Sequence, residues 1–149
     1  MNKFSIAAIL IISASCALPS AVWAKCAGSV NLPSQQAFFK FHKNEKSLDP
    51  IETKRLMDWA TEMQKKYPVH QWLSISAEAQ PDEDRPNDLA ASRAVSLAKL
   101  ALDDGLVRAP IELKTHVGSL GNPASYGDDA RMGVLQLNPG CPNNCCDGD

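Results

Sequence analysis

The feature that most constrains the fold of this chain is the alternation between strand-like and helix-like spacing of its apolar residues. The clearest strand is Gln71–Glu78, in which polar and apolar residues alternate strictly. This alternation places Leu73, Ile75 and Ala77 on one face, and it predicts that Glu78 lies on the opposite, polar face. Shorter stretches of the same kind predict three more strands, at Ala37–His42, Ile111–Val117 and Val134–Leu137.

A first helix is predicted between the first two strands. Asp49 can act as its N-cap, Pro50 suits the first turn, and Glu52 can complete a capping box. Pro68 stops the helix at its other end. Apolar residues recur at helical spacing and form one stripe, which consists of Leu56, Trp59, Ala60, Met63 and Tyr67.

A second helix is predicted to begin with Asn87 or Asp88 as its cap and to run to about Asp104, where Gly105 can end it. The order of elements is therefore β-α-β-α-β-β. Each strand–helix–strand connection implies parallel neighbouring strands, and right-handed crossovers put both helices on one side of a mixed sheet. The sequence predicts an α/β (α+β) two-layer sandwich.

The N-terminus has the pattern of a secretory signal peptide. Lys3 supplies a positive charge, Ile6–Ile12 is almost wholly apolar, and Val22-Trp23-Ala24 has small residues where signal peptidase reads the chain. This apolar stretch is too short to span a bilayer as a stable helix, and no later segment is apolar enough to do so. We expect cleavage after Ala24 and a mature chain, Lys25–Asp149, that is soluble in the periplasm.

Cys16 offers an alternative, because a cysteine after a hydrophobic segment can be a lipidation site. The residue three positions before it is Ser13, where bacterial lipoprotein signals usually have a large aliphatic side chain. A plain cleaved signal is therefore favoured over an outer-membrane lipoprotein.

Charge and motif content narrow the possible functions. The formal net charge is −2, or −3 once Lys3 is removed, and no basic patch suggests binding to nucleic acid. The sequence contains no nucleophile elbow, zinc-protease motif or phosphate-binding loop, and its three histidines are dispersed. We therefore expect a protein that is not an enzyme, with no catalytic residues and no cofactor.

Four cysteines remain after signal cleavage, at the two ends of the mature chain: Cys26, Cys141, Cys145 and Cys146. An even number in an exported protein favours two disulfides, of which we expect at least one to join the N-terminal extension to the tail. A four-cysteine metal site is the alternative. Its spacing does not match the usual paired ligands, and adjacent cysteines suit a tetrahedral site poorly.

Arg93 is the most informative polar residue of the second helix. It lies between Leu89 and Leu97, in or beside the apolar seam, where an arginine requires a partner. One interpretation is a structural ion pair with Asp82 or Asp84. The other is a planar donor aimed at the carboxylate of a ligand. The residues alone leave both open.

The stretch from Ile75 to Gly121 resembles the OmpA C-terminal family, whose domains anchor outer membranes to peptidoglycan non-covalently. In both, a Leu on the second helix is followed by Arg-Ala, here Leu89 and Arg93-Ala94. The loop Gly118–Pro123 is similar to the family's glycine-rich turn, and the sequence Ala130–Val134 to the approach to its last strand. The resemblance covers about Ala37–Leu137. It divides the chain into a signal peptide (1–24), an N-terminal extension (25–36), an OmpA-C-like domain (37–138) and a Cys-rich tail (139–149).

The resemblance implies a site for the diaminopimelate of peptidoglycan. In the family, an Asp at the end of the second strand binds its ammonium, and the helix Arg binds its carboxylate. These positions fall on Gln80 and Arg93, and the loss of the acid weakens binding by about 1–2 kcal/mol. The resemblance also places Asn87 and Leu89 in this site, where the family Asn is displaced, because Asn87 stands two residues before Leu89 instead of three. Two loop acids are candidates to replace the missing carboxylate: Asp82 and Asp84.

Two functions of different classes follow. The first is a periplasmic module of the cell envelope that associates with peptidoglycan, and the second is a module of the same fold that binds other envelope proteins without binding peptidoglycan. Arg93 favours the first and Gln80 favours the second.

Overall fold

The computed structural model describes Ser29 and residues 31–118, 131–142 and 145–146. Within these residues the order of elements is β1 Gln35–Lys40, α1 Pro50–Lys66, β2 His70–Ala79, α2 Pro86–Asp103, β3 Ile111–Val117 and β4 Met132–Pro139. The fold class is confirmed as a mixed four-stranded sheet with two helices. The predicted signal peptide, Cys16, Cys26 and the loop that follows Gly118 lie outside the described residues.

The sheet order is β1-β4-β2-β3. β2 and β3 are parallel neighbours, as predicted, but β1 and β2 are not neighbours, because β4 lies between them and is antiparallel to both. That part of the topology was predicted wrongly. β4 suits an inner position, since Leu135 and Leu137 are fully buried and both its edges are hydrogen-bonded to neighbouring strands.

Helix α1 begins as the sequence predicts. Asp49 is the N-cap, and its Oδ1 accepts a hydrogen bond of 2.8 Å from the backbone N–H of Glu52. The Glu52 carboxylate, which we expected to complete a capping box with the Asp49 backbone, instead accepts from the backbone N–H of Lys40 at 3.1 Å. This contact ties the first turn of α1 to the end of β1.

Helix α2 begins differently from the prediction. Its N-cap is Arg85, which has a left-handed backbone (φ 44°) and no side-chain capping bond, so neither Asn87 nor Asp88 is the cap. Pro86 explains the earlier start, because its fixed φ and missing N–H suit the first helical position. The end of the helix is as predicted: Gly105 has φ +87°, and Leu106 N–H bonds to Ala101 O at 2.9 Å.

The core lies between the helices and one face of the sheet. Its largest fully buried apolar residues come from strands, helices and the α2–β3 loop: Phe39, Leu56, Leu73, Ile75, Leu97, Leu106, Leu135 and Leu137. Gly133 allows α2 to approach β4 closely, because a Cβ there would lie 2.2 Å from Leu97 Cδ1. No helix in the described part of the chain is long and apolar enough to cross a membrane.

The tail contains a disulfide between Cys141 and Cys146. Cys145 is also disulfide-bonded, and its partner lies outside the described residues, which hold no further cysteine. The predicted bridge from the N-terminal extension to the tail stays a prediction.

Candidate functional site

The Arg93 side chain is fully buried and forms a two-pronged ion pair with Glu83. Nη2 donates to Glu83 Oε1 at 2.7 Å, and Nη1 donates to Oε2 at 2.9 Å. Both side chains have an exposed fraction of 0%. The partner of Arg93 is therefore Glu83, which points inward, and not Asp82 or Asp84, which are both exposed.

The three remaining N–H groups of Arg93 bind backbone carbonyls. Nε donates to Glu45 O at 2.8 Å, Nη1 to Glu78 O at 2.9 Å, and Nη2 to His42 O at 3.0 Å. The guanidinium also lies 4.9 Å from the centre of the Phe41 ring. All five donors of the guanidinium are thus used inside the protein, which leaves none for a ligand in this conformation.

Glu83 is held from several directions. Besides Arg93, it accepts hydrogen bonds from the backbone N–H groups of Asn44 at 2.8 Å and Gln80 at 2.7 Å. Burial acts to raise the pKa of Glu83, but the hydrogen bonds from Arg93, Gln80 and Asn44 outweigh it and lower the pKa to about 2. The carboxylate is therefore ionised throughout the physiological pH range.

Glu78 is buried (1% exposed), contrary to its predicted place on the polar face. Its Oε1 accepts from the backbone N–H of Met132 at 3.1 Å, at the beginning of β4. A carboxylate in this position fixes the ends of β2 and β4 against each other. The strand pattern could not indicate this, because the contact is made with Met132, which is distant in sequence, and not within β2.

The other candidate residues lie at or near the surface around this buried pair. Gln80 is half-buried, and Asn87 is exposed in the first turn of α2. Asp82 pairs with Lys43 at 2.7 Å and with Arg131 at 3.4 Å. The hydrogen bond from Lys43 is the main reason that the pKa of Asp82 is lowered.

Two of the candidate residues, Asp84 and Leu89, meet in one groove of about 320 Å³. We call it the charged groove. It lies between the loop after β1 and the start of α2. Its lining comprises Asn44, Lys46, Asp84, Arg85, Asp88, Leu89 and Ser92, and includes neither Arg93 nor Gln80.

The charged groove carries both signs of charge. Asp84 and Asp88 supply carboxylates, while Lys46 and Arg85 supply cations. The Arg85 and Asp88 side chains lie 3.8 Å apart and are largely exposed, so each is available to a ligand at little cost. This arrangement suits a small zwitterion, whose ammonium would face the acids and whose carboxylate would face the cations.

The described residues include no group of three or more His, Cys, Asp or Glu side chains placed to hold a metal ion. The charged groove contains no histidine or cysteine, and its one hydroxyl, on Ser92, donates to the backbone O of Asp88 at 2.8 Å. Its charged and amide side chains can bind a ligand through charge and hydrogen bonds.

Sequence reasoning identified Arg93 as a residue that needs a partner but missed Glu83 and Arg85. Glu83 stands between two exposed acids, and only the course of the loop turns it inward. Arg85, which has a left-handed backbone just before Pro86, lines the charged groove. Neither feature has a signal in spacing or composition.

No protein-family model and no curated protein sequence matches the chain. Solved structures with a similar fold include the OmpA-like domain of FopA1 from Francisella tularensis, with a TM-score of 0.56 and 11% identity over 72% of this chain and 73% of that one. The C-terminal domain of Helicobacter pylori MotB gives 0.55 and 13% identity over 72% and 89%. The peptidoglycan-associated lipoprotein from Burkholderia pseudomallei gives 0.50 and 14% identity over 67% and 88%. At such identities the likeness shows the fold: the chain has the fold of OmpA-like domains.

Proposed function

We infer that this protein is a cell-envelope module that associates non-covalently with peptidoglycan, and that it does so through the charged groove. The observation that carries this proposal is the meeting of Asp84 and Leu89 in a groove of mixed charge, at the start of the helix that carries Arg93. The fold supports it, because one similar structure is named a peptidoglycan-associated lipoprotein. The disulfide supports an oxidising compartment such as the periplasm.

The residue roles differ from those that the family resemblance implies. Because the N–H groups of Arg93 are all used, Arg85 and Lys46 are the cations that would receive the carboxylate of a diaminopimelate group. Asp84 and Asp88 would receive its ammonium in place of the missing family acid. Arg93 then influences binding only indirectly, because its ion pair with Glu83 holds the loop between β2 and α2 in place.

Sedimentation with purified sacculi tests this function. We expect the wild-type mature chain to pellet, and the double variant Asp84→Asn, Arg85→Gln to pellet at least fivefold less. A matched control is Lys54→Gln, Asp58→Asn, which removes an exposed ion pair of α1 with the same change of charge. Equal sedimentation of wild type and groove variant would contradict the proposed site.

A second function is favoured by the internal contacts of Arg93, whose five N–H groups all bind within the protein. A domain that keeps the OmpA-like fold but uses its helix arginine as an internal support can serve as a protein-interaction module. If the folded wild-type chain stays in the supernatant with sacculi, while a known peptidoglycan binder pellets, this second function replaces the first.

A further inference from the structure

Strand β3 is the outermost strand on its side of the sheet. Among the described residues its only strand partner is β2, and no described strand pairs with its other edge, which we call the free edge. The five central residues, 112–116, are all exposed, and Leu113 retains 45% of its surface. An exposed strand edge of this length is a template for another strand.

The direction of the free backbone groups follows from the bonds that β3 makes with β2. Pro110 O accepts from Leu73 N–H at 2.9 Å, and Gly118 N–H donates to Ala79 O at 2.9 Å. Because the N–H and C=O of one strand residue point to the same side and alternate along the chain, even-numbered residues bond to β2. The odd-numbered residues Ile111, Leu113 and Thr115 therefore present their N–H and C=O groups to the free edge.

The charges of β3 select one self-complementary register. In an antiparallel pair of two β3 strands centred on Leu113, Glu112 lies directly opposite Lys114 of the second copy, and Lys114 lies opposite its Glu112. Centring the pair on Glu112 would oppose two glutamates, and centring it on Lys114 would oppose two lysines. Opposite charges stabilise a cross-strand pair, and like charges destabilise it.

The selected register also agrees with the backbone directions. It makes Leu113 face Leu113 and Ile111 face Thr115, so all the outward groups pair and about six backbone hydrogen bonds form. Glu112 and Lys114 then occupy positions without backbone bonds, where opposed side chains are closest. Within one chain these two side chains already lie 3.0 Å apart on the same face, so two copies bring four alternating charges together.

We propose that the free edge of β3 binds a second copy of this chain in antiparallel orientation. The result is a two-fold dimer with one continuous sheet of eight strands, in which the helices of both copies lie on the same side. This assembly does not depend on the charged groove or on peptidoglycan.

Sedimentation velocity of the mature chain over a range of concentrations tests the dimer and its register. Glu112→Lys and Lys114→Glu should each weaken dimerisation at least tenfold, because each places like charges opposite one another. The double variant Glu112→Lys, Lys114→Glu should restore dimerisation, since it only exchanges the members of each pair. Asp58→Lys on α1, which changes the charge by the same amount as Glu112→Lys, should leave dimerisation unaltered.

A cross-link provides a measurement that does not depend on the strength of the charge pairs. Residues 113 of the two copies should have Cα atoms about 5.5 Å apart, which suits a disulfide. Leu113→Cys should therefore give a covalent dimer under mild oxidation, whereas Thr115→Cys, which faces Ile111, should not. A wild-type chain that stays monomeric at millimolar concentration, or single variants that the double variant fails to rescue, would overturn the proposal.

Discussion

Glu83 is the residue at which three segments of the chain converge. It binds the backbone of the loop after β1 at Asn44, the end of β2 at Gln80, and helix α2 through Arg93. Each of these groups is hydrogen-bonded to the Glu83 carboxylate instead of to water. Losing the charge would leave a buried guanidinium without its counter-ion, so the contribution of Glu83 to stability exceeds that of an ordinary surface acid.

The substitution Glu83→Gln tests this role. We expect it to lower the free energy of unfolding by about 3–5 kcal/mol at neutral pH, the range for breaking a buried ion pair on one side. Asp84→Asn, at the neighbouring exposed carboxylate, should cost less than about 1 kcal/mol. Chemical denaturation of both variants gives the comparison, and equal losses would contradict the role of Glu83.

The pH dependence of the same variant gives an independent readout. The pKa of Glu83 is lowered from 4.5 to about 2 on folding, so its contribution is complete above pH 4.5 and falls away as the pH drops toward 2. The wild type should therefore lose more stability than Glu83→Gln over this interval. Parallel stability curves of the two proteins between pH 5 and pH 2 would show that the ion pair does not form.

The need of Arg93 for a partner was predictable from its place in an apolar seam, and the identity of that partner was not. Asp82, Glu83 and Asp84 are three consecutive acidic residues, and the sequence does not show which of them pairs with Arg93. They differ in exposure because the Asp84 N–H donates to Asn44 Oδ1 at 2.9 Å, a contact between loops that are distant in sequence. Spacing along one segment carries no information about such a contact.

At the scale of elements, the type of each segment followed from periodicity, while its place in the sheet did not. The helix cap at Asp49 and the stop at Gly105 depend on neighbouring residues only, and both were predictable. The insertion of β4 between β1 and β2 depends on which strands bury one another. Alternation reports a buried face but does not identify the neighbour of a strand.

The contact between β4 and α2 depends on the absence of a side chain at Gly133. An added Cβ would meet Leu97 Cδ1 at 2.2 Å, and Leu97 is fully buried and has little room to move. We expect Gly133→Ala to destabilise the fold by about 1–3 kcal/mol through overpacking. In a Leu97→Val background, which removes the clashing atom, the same change should cost less. Denaturation of the two single variants and the double variant measures this coupling, and strictly additive losses would show that the clash is absent.

At the scale of the whole molecule, the described segment before β1 lies beside the end of β4 and the tail that follows it. Leu32 N–H donates to Pro139 O at 3.1 Å, and Ser34 Oγ donates to Asn138 Oδ1 at 2.5 Å. Further out, Cys146 N–H donates to Ser29 O at 2.9 Å. The segment before β1 is thus hydrogen-bonded to the tail that contains the disulfide-bonded Cys145.

These contacts lead to a prediction about the two disulfides. With Cys141 bonded to Cys146, and if the signal peptide is cleaved after Ala24 as the sequence predicts, so that Cys16 is removed, Cys26 is the partner left for Cys145. A bridge between them closes a loop of roughly 120 residues, which in the chain-entropy description stabilises by about 4–5 kcal/mol, whereas the short loop in the tail contributes about 2 kcal/mol.

The pair Cys26→Ser, Cys145→Ser should therefore lower the free energy of unfolding more than the pair Cys141→Ser, Cys146→Ser. Peptide mapping without reduction should recover Cys26 linked to Cys145 in the wild type. Recovery of Cys26 as a free thiol, or a larger loss from the tail pair, would contradict this arrangement.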